Sequence, residues 1–415
     1  MPDPIVTALD RPVPKTFIAG THRCAAPDET LARVRPLAAR MGITRIGDIT
    51  GLDRIGIPVA IAVRPNSASV SVAQGKGLSR EQAAASALME AVEGFHGEGL
   101  EPRFRLSSWC ALSAEAETAD PETLSRNGRP FDPDIQIDWI EGYDLLRGVP
   151  CWLPAEIVHL DYSAGDRNEA GCFLAGSNGL ASGNCLAEAI GAGLYEVIER
   201  DAVAIWTARS LRARSGTALD LGSVDDPAAL GLLARFAAAG VSVRVWNVTS
   251  DVGLAAFMSD IRAADEGAEP HLRRFRGAGC HPDRRIALLR ALTEAAQTRL
   301  TYISGARDDL AEADYAPSPD AEFAEALLDA LLTASTPVRF ADIPDFRSDD
   351  VAQDVLWTLS RLRTAGIGSA VAVDLTRAEF GVPVVRVVVP GLEGDTRHPE
   401  YRLGPRARNA AGPAA

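Results

Sequence analysis

Hydrophobic and polar positions recur along this chain with two periods, and their order predicts interleaved helices and strands. Residues 1–19 are proline-rich and are expected to run as an extended arm. THRCAAPDETLARVRPLAARMGI then predicts a helix from near Pro27, with Asp28 and Glu29 suited to its positive N-terminal end. IGIPVAIAVRP and ASVSVAQ read as β-branched strands, QGKGLS breaks them, and a helix follows from about Ser79 to Gly97. Residues 100–170 are irregular, with strands expected at IQIDWIEGYDL and near VPCWLP. The loop AGSNGLASGN leads into the amphipathic stretch NCLAEAIGAGLYEVIERDA, residues 184–202. VSVRVWNVTS and GLAAFMSDI read as paired strands, and RRIALLRALTEAAQTRLTYISG as a third long helix. Further helices are expected over 320–335 and VAQDVLWTLSRLRTAG, then strands at GSAVAVDLT and VPVVRVVVPGL before a polar tail. No short-period repeat is present, and the class is α/β or α+β.

Two of these helices carry carboxylates beside their apolar stripes. In SALMEAVEGF, Ser86, Glu90 and Glu93 stand at i, i+4 and i+7, on one helical face. In the 184–202 helix Asn184 and Glu188 are four apart, and Glu196, Glu199 and Arg200 cluster two turns on. Acids beside an apolar stripe need a cation or hydrogen-bond donors if they are buried. Two readings stay open on spacing alone: a solvated acidic face, or a wall of oxygen ligands for Mg²⁺. QGKGLS and GLASGN each open one of the helices with glycines, and the first adds Lys76. Such junctions can meet an anion, although neither is a P-loop.

Composition narrows the classes. The net charge of −14 repels nucleic-acid phosphates and anionic lipid, so no nucleic-acid or membrane role is expected. Nearly half of the 415 residues are hydrophobic, mean hydropathy is zero and no apolar run nears the roughly 20 residues of a membrane span. The N-terminus lacks the apolar core of a secretion signal, and cytoplasm is the expected compartment. The six cysteines form no CxxC pair, which excludes a zinc-finger spacing, and they read mostly as small buried hydrophobes. A reactive thiol stays open for Cys24 and Cys185, each beside a residue singled out here.

Taken in order, HRCAAPDETL, ITGLDRIGIPV, QGKGLSREQAAASALMEAVE, NGLASGNCLAEAIGAGLYEVIERDA, GAGCHPDRRIALLRALTEAAQTRL and ISGARDD resemble the YcaO family. VPVVRVVVPGLE extends the likeness to near residue 404. This gives an arm over 1–19, a YcaO-like catalytic domain over 20–404 and a polar tail over 405–415. The resemblance implies an α+β fold of mixed, mostly antiparallel sheets packed by helices, with an ATP cleft between the two Glu-bearing helices. It implies ATP- and Mg²⁺-dependent phosphorylation of a peptide backbone amide oxygen. Azoline follows if a substrate Cys, Ser or Thr adds to the carbonyl, and a thioamide if sulfide does. Position by position, Glu90, Glu93, Glu196 and Glu199 match the family's Mg²⁺ ligands, and Ser86, Asn184, Glu188 and Arg200 its nucleotide contacts. Arg23 stands at a basic position near the nucleotide and Thr30 at a hydroxyl position. Arg290 is a phosphate candidate and Arg307 a weaker one. Lys76 is expected to shape its loop, and Glu98 and Glu294 to be surface or structural acids.

The ending YRLGPRARNAAGPAA lacks the PxPxP-like tail common in azoline-forming members, and VPVVRVVVPGLEG looks like members that act with a TfuA partner protein. Thioamidation of a peptide or protein with external sulfide and a TfuA-type partner is therefore the favoured expectation, with homodimerisation also open. The alternatives are an azoline-forming cyclodehydratase, a non-catalytic ATP-dependent peptide-binding member, and a ligase making an acyl phosphate from a free carboxylate.

Overall fold

The computed structural model describes residues 4–100, 104–163, 168–263, 274–315, 327 and 336–412. In chain order, α1 (Pro4–Leu9) and α2 (Pro27–Val34) precede β1 (Arg45–Asp48), β2 (Val59–Val63) and β3 (Val72–Lys76), a three-stranded sheet in that order. Helix α3 (Arg80–Glu98) covers this sheet, started by Ser79, whose Oγ accepts the Gln82 N–H. A larger sheet begins with β4 (Phe104–Ser107), the short helix α4 (Trp109–Ser113), β5 (Ile137–Asp144), β6 (Val149–Pro154) and β7 (Leu180–Ser182). The 23-residue helix α5 (Leu186–Ala208) follows, then α6 (Leu211–Ser215) and α7 (Pro227–Ala238). A second three-stranded sheet, β8 (Val241–Asn247), β9 (Ala255–Ala263) and β10 (Arg274–His281), is covered by α8 (Arg284–Ser304). The chain returns through α9 (Val351–Thr364) to complete the larger sheet with β11 (Val371–Asp374) and β12 (Val384–Val388), in the order β4-β5-β11-β12-β7 with β6 on β5. It ends in α10 (Pro405–Ala411).

Every ladder between these strands is antiparallel, as expected for the α+β class. Apolar residues gather into one core around α3 and the larger sheet, a second around α5 and a third around α8. Close backbone approach explains the glycines beside the helices. A Cβ at Gly75 would lie 2.0 Å from the Ala87 nitrogen and one at Gly277 2.2 Å from the Ala295 nitrogen, so only glycine lets β3 and β10 touch their helices.

Several elements differ from the sequence reading. Strand β3 continues through Gln74, Gly75 and Lys76, so QGK is strand and its glycine serves packing. The run RFRGAGCH forms β10, an edge strand whose glycines mask its pattern. The opening arm is not extended throughout. α1 buries Ile5, and Lys15 forms a buried ion pair with Asp354 at 2.5 Å. The polar tail forms α10 against α5, because Arg406 forks onto the fully buried Asp201 at 2.8 and 3.0 Å. The helix expected over 320–335 lies outside the described residues, except for Leu327. No described helix is long and apolar enough to cross a membrane.

Candidate active site

A cavity of about 1210 Å³ opens among α3, α5, α8 and the inner strands. Arg23, Thr30, Lys76, Ser86, Glu90, Glu93, Asn184, Glu188, Glu196, Glu199, Arg200, Arg290 and Arg307 all line it. The i, i+4, i+7 spacing of α3 aims Ser86, Glu90 and Glu93 at this space, while the opposite face, including Ala87, Leu88 and Val92, enters the core.

The carboxylates are answered unevenly. Glu93 Oε1 accepts the backbone N–H and the hydroxyl of Ser182 at 2.8 and 2.7 Å. Burial still pushes its carboxyl up to about 8, with Glu90 and Glu196 adding repulsion against those two donors. Glu90 is exposed to the cavity's own solvent but is walled in by protein, and burial raises its carboxyl against the pull of Lys76 and Arg307. Glu199 is almost wholly buried. Its Oε1 accepts from Arg200 Nη1 at 3.0 Å and its Oε2 has no hydrogen-bond partner. Burial raises the Glu199 carboxyl, and Arg200 opposes this. Arg200 also stands 3.6 Å from Glu196 and 3.5 Å from Asp395.

At the other end of α5, Glu188 is bound by its neighbours. Its oxygens accept from the Cys24 N–H and from Asn184 Nδ2, each at 3.1 Å, and Arg23 Nε lies 3.4 Å away. Asn184 Oδ1 in turn accepts from Thr30 Oγ1 at 2.9 Å and Arg33 Nη2 at 2.8 Å. Glu196 lies eight helical positions after Glu188, about 12 Å along the axis. The cavity is thus a polar cradle at one end and a carboxylate cluster at the other. Cys24 and Cys185 meet beside the cradle with sulfurs 3.6 Å apart, and Cys24 Sγ also donates to Glu188 Oε2 at 3.1 Å.

Some participants were not visible in the sequence. Glu294, expected at the surface or in a structural role, lines the cavity 3.2 Å from Lys76. Burial works against its ionisation, but Lys76 and Arg200 overcome it and hold the carboxyl below the usual range. Lys76 therefore answers Glu294 rather than shaping a loop. Glu98 turns away from the cavity and accepts from Arg64, Ser67 and Ser69. Arg307 pairs with Asp309 at 2.7 Å. Arg33, Asp395 and Arg386 also belong to the site region. Of these, only Arg386 left a trace in the sequence, a lone cation within VPVVRVVVPG.

The residues present fit Mg²⁺ and a nucleotide. The carboxylate end offers oxygen ligands alone, which suits a hard cation. Orphaned buried atoms converge on the cavity: Glu199 Oε2 and Asn178 Oδ1 as acceptors and Arg290 Nε as a donor. Buried polar atoms without partners are uncommon and point to a missing ligand. A separate group, His22, His281 and Asp354, places its ligand atoms within 4.8 Å of one another, but the Lys15 ammonium on Asp354 disfavours a cation there.

Comparison with known proteins agrees with this chemistry. The family model described as YcaO cyclodehydratase, ATP- and Mg²⁺-binding, matches residues 74–393. A protein of Rhizobium leguminosarum bv. trifolii, described as uncharacterized and in the tfuA 3′ region, is 36% identical over 391 residues, covering 93% of this chain and 92% of its own. The structure of YcaO from Methanopyrus kandleri bound with AMPPCP and Mg²⁺ superposes with a TM-score of 0.72 at 26% identity, covering 92% of this chain and 95% of that one. A heterocyclase in complex with substrate and cofactor gives a TM-score of 0.76 at 25% identity, and the match covers 92% of this chain but 54% of the heterocyclase.

Proposed function

Since this chain belongs to the YcaO family, whose model describes ATP and Mg²⁺ binding, we propose that it activates a peptide or protein backbone amide with ATP and Mg²⁺, and that sulfide then converts the amide to a thioamide. The observation that carries the reading is the carboxylate cluster shared by α3 and α5, with Glu199 Oε2 unanswered and Glu90, Glu93 and Glu199 all raised by burial. Glu90, Glu93, Glu196 and Glu199 would hold Mg²⁺. Arg23, Thr30, Asn184 and Glu188 would hold the nucleoside end, and Ser86 and Arg290 the phosphates. Arg200, locked by Glu199, Glu196 and Asp395, fixes the ligand carboxylates and supplies positive charge beside them. ATP supplies a phosphoryl group that turns the amide oxygen into a good leaving group. That task asks the protein for positioning and charge neutralisation rather than for a nucleophile.

The thioamide branch and a TfuA-type partner are supported by the Rhizobium relative's place in a tfuA region. One observation favours a second reading: the fold matches a heterocyclase, which supports azoline formation from a substrate Cys, Ser or Thr. Incubating candidate peptides with the protein, a TfuA-type partner, Mg-ATP and sulfide separates the two by mass. A gain of about 16 Da that requires sulfide is the expected result, because oxygen is exchanged for sulfur. A loss of about 18 Da without sulfide replaces it with the azoline reading. Product from a free carboxylate rather than an amide overturns both.

A further inference from the structure

Strand β12 reads VVRVV. Val385 and Val387 enter the core around α5, whereas Val384 and Val388 face the core around α3. Arg386 stands between the latter two, 3% exposed, on an otherwise apolar face. Its Nη2 donates to the carbonyl oxygens of Ile157 and Gly176 at 2.7 and 2.5 Å. Its Nε and Nη1 are buried without a hydrogen-bond partner, although Arg386 forms part of the cavity wall. Burial lowers its pKa to about 10, which leaves it charged at neutral pH, and the nearby negative groups it senses are Tyr162 and Glu196. A buried cation with open donors is costly unless something answers it.

Register places this cation at one end of the cavity. β12 pairs with β7 so that Val384 faces Ser182, which holds Glu93, and Arg386 faces Leu180. Arg386 therefore lies on the same face of the sheet as Ser182, on the side away from Asn184, and the cavity it lines also takes in Glu93 and Glu196. It sits by the carboxylate cluster, away from the Glu188 cradle.

We propose that Arg386 is the acceptor-side anchor of the reaction, taking the oxygens of the phosphoryl group as it passes from the nucleotide to the substrate's amide oxygen. This rests on the amide-activation reading above. In that transfer the bond from the γ-phosphorus to ADP breaks and leaves its electron pair on ADP. A lone pair of the amide oxygen forms the new phosphorus–oxygen bond, and the guanidinium gives up no proton. Arg386 differs from Ser86 and Arg290 in being needed for the group in transit rather than for the resting nucleotide. Its tether to two carbonyls fixes its place before the reaction begins, so no reorganisation is needed as charge develops.

Orthovanadate with Mg-ADP mimics the phosphoryl group in transit, and Mg-AMPPCP the resting nucleotide. Both affinities are measured by titration calorimetry on the full chain, for the wild type, Arg386→Gln and Arg386→Lys. The expected result is a loss of about 10- to 100-fold for Mg-ADP-vanadate in Arg386→Gln, with Mg-AMPPCP within about twofold. Arg386→Lys keeps the charge but not the planar group, and is expected to fall between. Equal loss of both complexes, or loss of neither, in a variant that melts like the wild type overturns the proposal. If Arg386→Gln does not fold, Arg386→Lys decides on the same criterion. A wild type that binds neither complex refutes the amide-activation reading itself and is distinguishable from failure of Arg386 alone.

Discussion

Replacing Glu93 with glutamine should make the ligand-free protein more stable while disabling its metal site. The Glu93 carboxyl is raised from the ordinary 4.5 to about 8, because burial and the neighbouring glutamates outweigh the two hydrogen bonds from Ser182. The folded chain therefore holds this proton more tightly than the unfolded one, and stability falls as pH rises from 4.5 to 8. Each pH unit in that window costs about 1.4 kcal/mol, so a penalty of about 3 to 5 kcal/mol is present by pH 8. Glutamine keeps the acceptor for Ser182 and removes the charge, but its amide N–H groups need new partners at about 1 kcal/mol. The net gain expected for Glu93→Gln is about 2 to 4 kcal/mol at pH 8, vanishing near pH 5 and turning into a loss of about 1 kcal/mol or less at pH 4.5. Urea denaturation of both proteins across pH 4.5 to 8, without metal or nucleotide, reads this directly. Saturating Mg-nucleotide should reverse the order, since only the wild type gains binding energy. A variant no more stable than the wild type at pH 8, or a gain independent of pH, would refute the reasoning.

Three further outcomes follow from the same geometry. Glu196→Gln with Glu199→Gln should leave the fold intact and abolish Mg²⁺-dependent nucleotide binding, measured by equilibrium dialysis; normal binding would remove the cluster from the site. Arg406→Met should cost about 3 to 5 kcal/mol in urea, because Asp201 is left buried without its cation, and Asp201→Asn in the same chain should return part of it. That penalty should shrink as pH is lowered, since burial already raises the Asp201 carboxyl and loss of Arg406 raises it further; a pH-independent cost would point instead to lost packing of α10. Gly75→Ala should lower the melting temperature sharply, because the new methyl would meet the Ala87 nitrogen at 2.0 Å, and an unchanged melt would mean that β3 can move off α3.

Much of the candidate site was legible because its residues obey local spacing. Glu90 and Glu93, and Glu196 and Glu199, repeat one helical interval on two amphipathic helices, so their shared faces can be read without a fold. The partners were not legible, because they come from distant segments. Glu294 looked like an ordinary helix-surface acid until α8 was laid over β10 and brought it to Lys76, 218 residues away. Arg33 sits a few residues from the matched HRCAAPDETL segment, yet its role depends on Asn184, 151 residues on. Asp201 reads as one more acid of α5, but it points away from the cavity and is neutralised by Arg406, which a local reading assigns to a polar tail.

By itself the sequence determined a mixed helix-and-strand class, the long helices, the acidic net charge, and the matching glutamate spacing on two helices. Helical and strand periodicity are properties of neighbouring residues, and they survive without knowledge of the fold. Tertiary structure decided which carboxylates share one cavity and which are answered elsewhere. It also decided that the glycines of QGK and RFRGAGCH serve backbone packing and that a lone arginine among valines is buried beside the site. Those outcomes depend on desolvation and on contacts between separate elements, from Gly75 against Ala87 on the next helix to Lys76 against Glu294, 218 residues on. No local pattern encodes either, because burial and pairing are set only when the sheets close around the cavity.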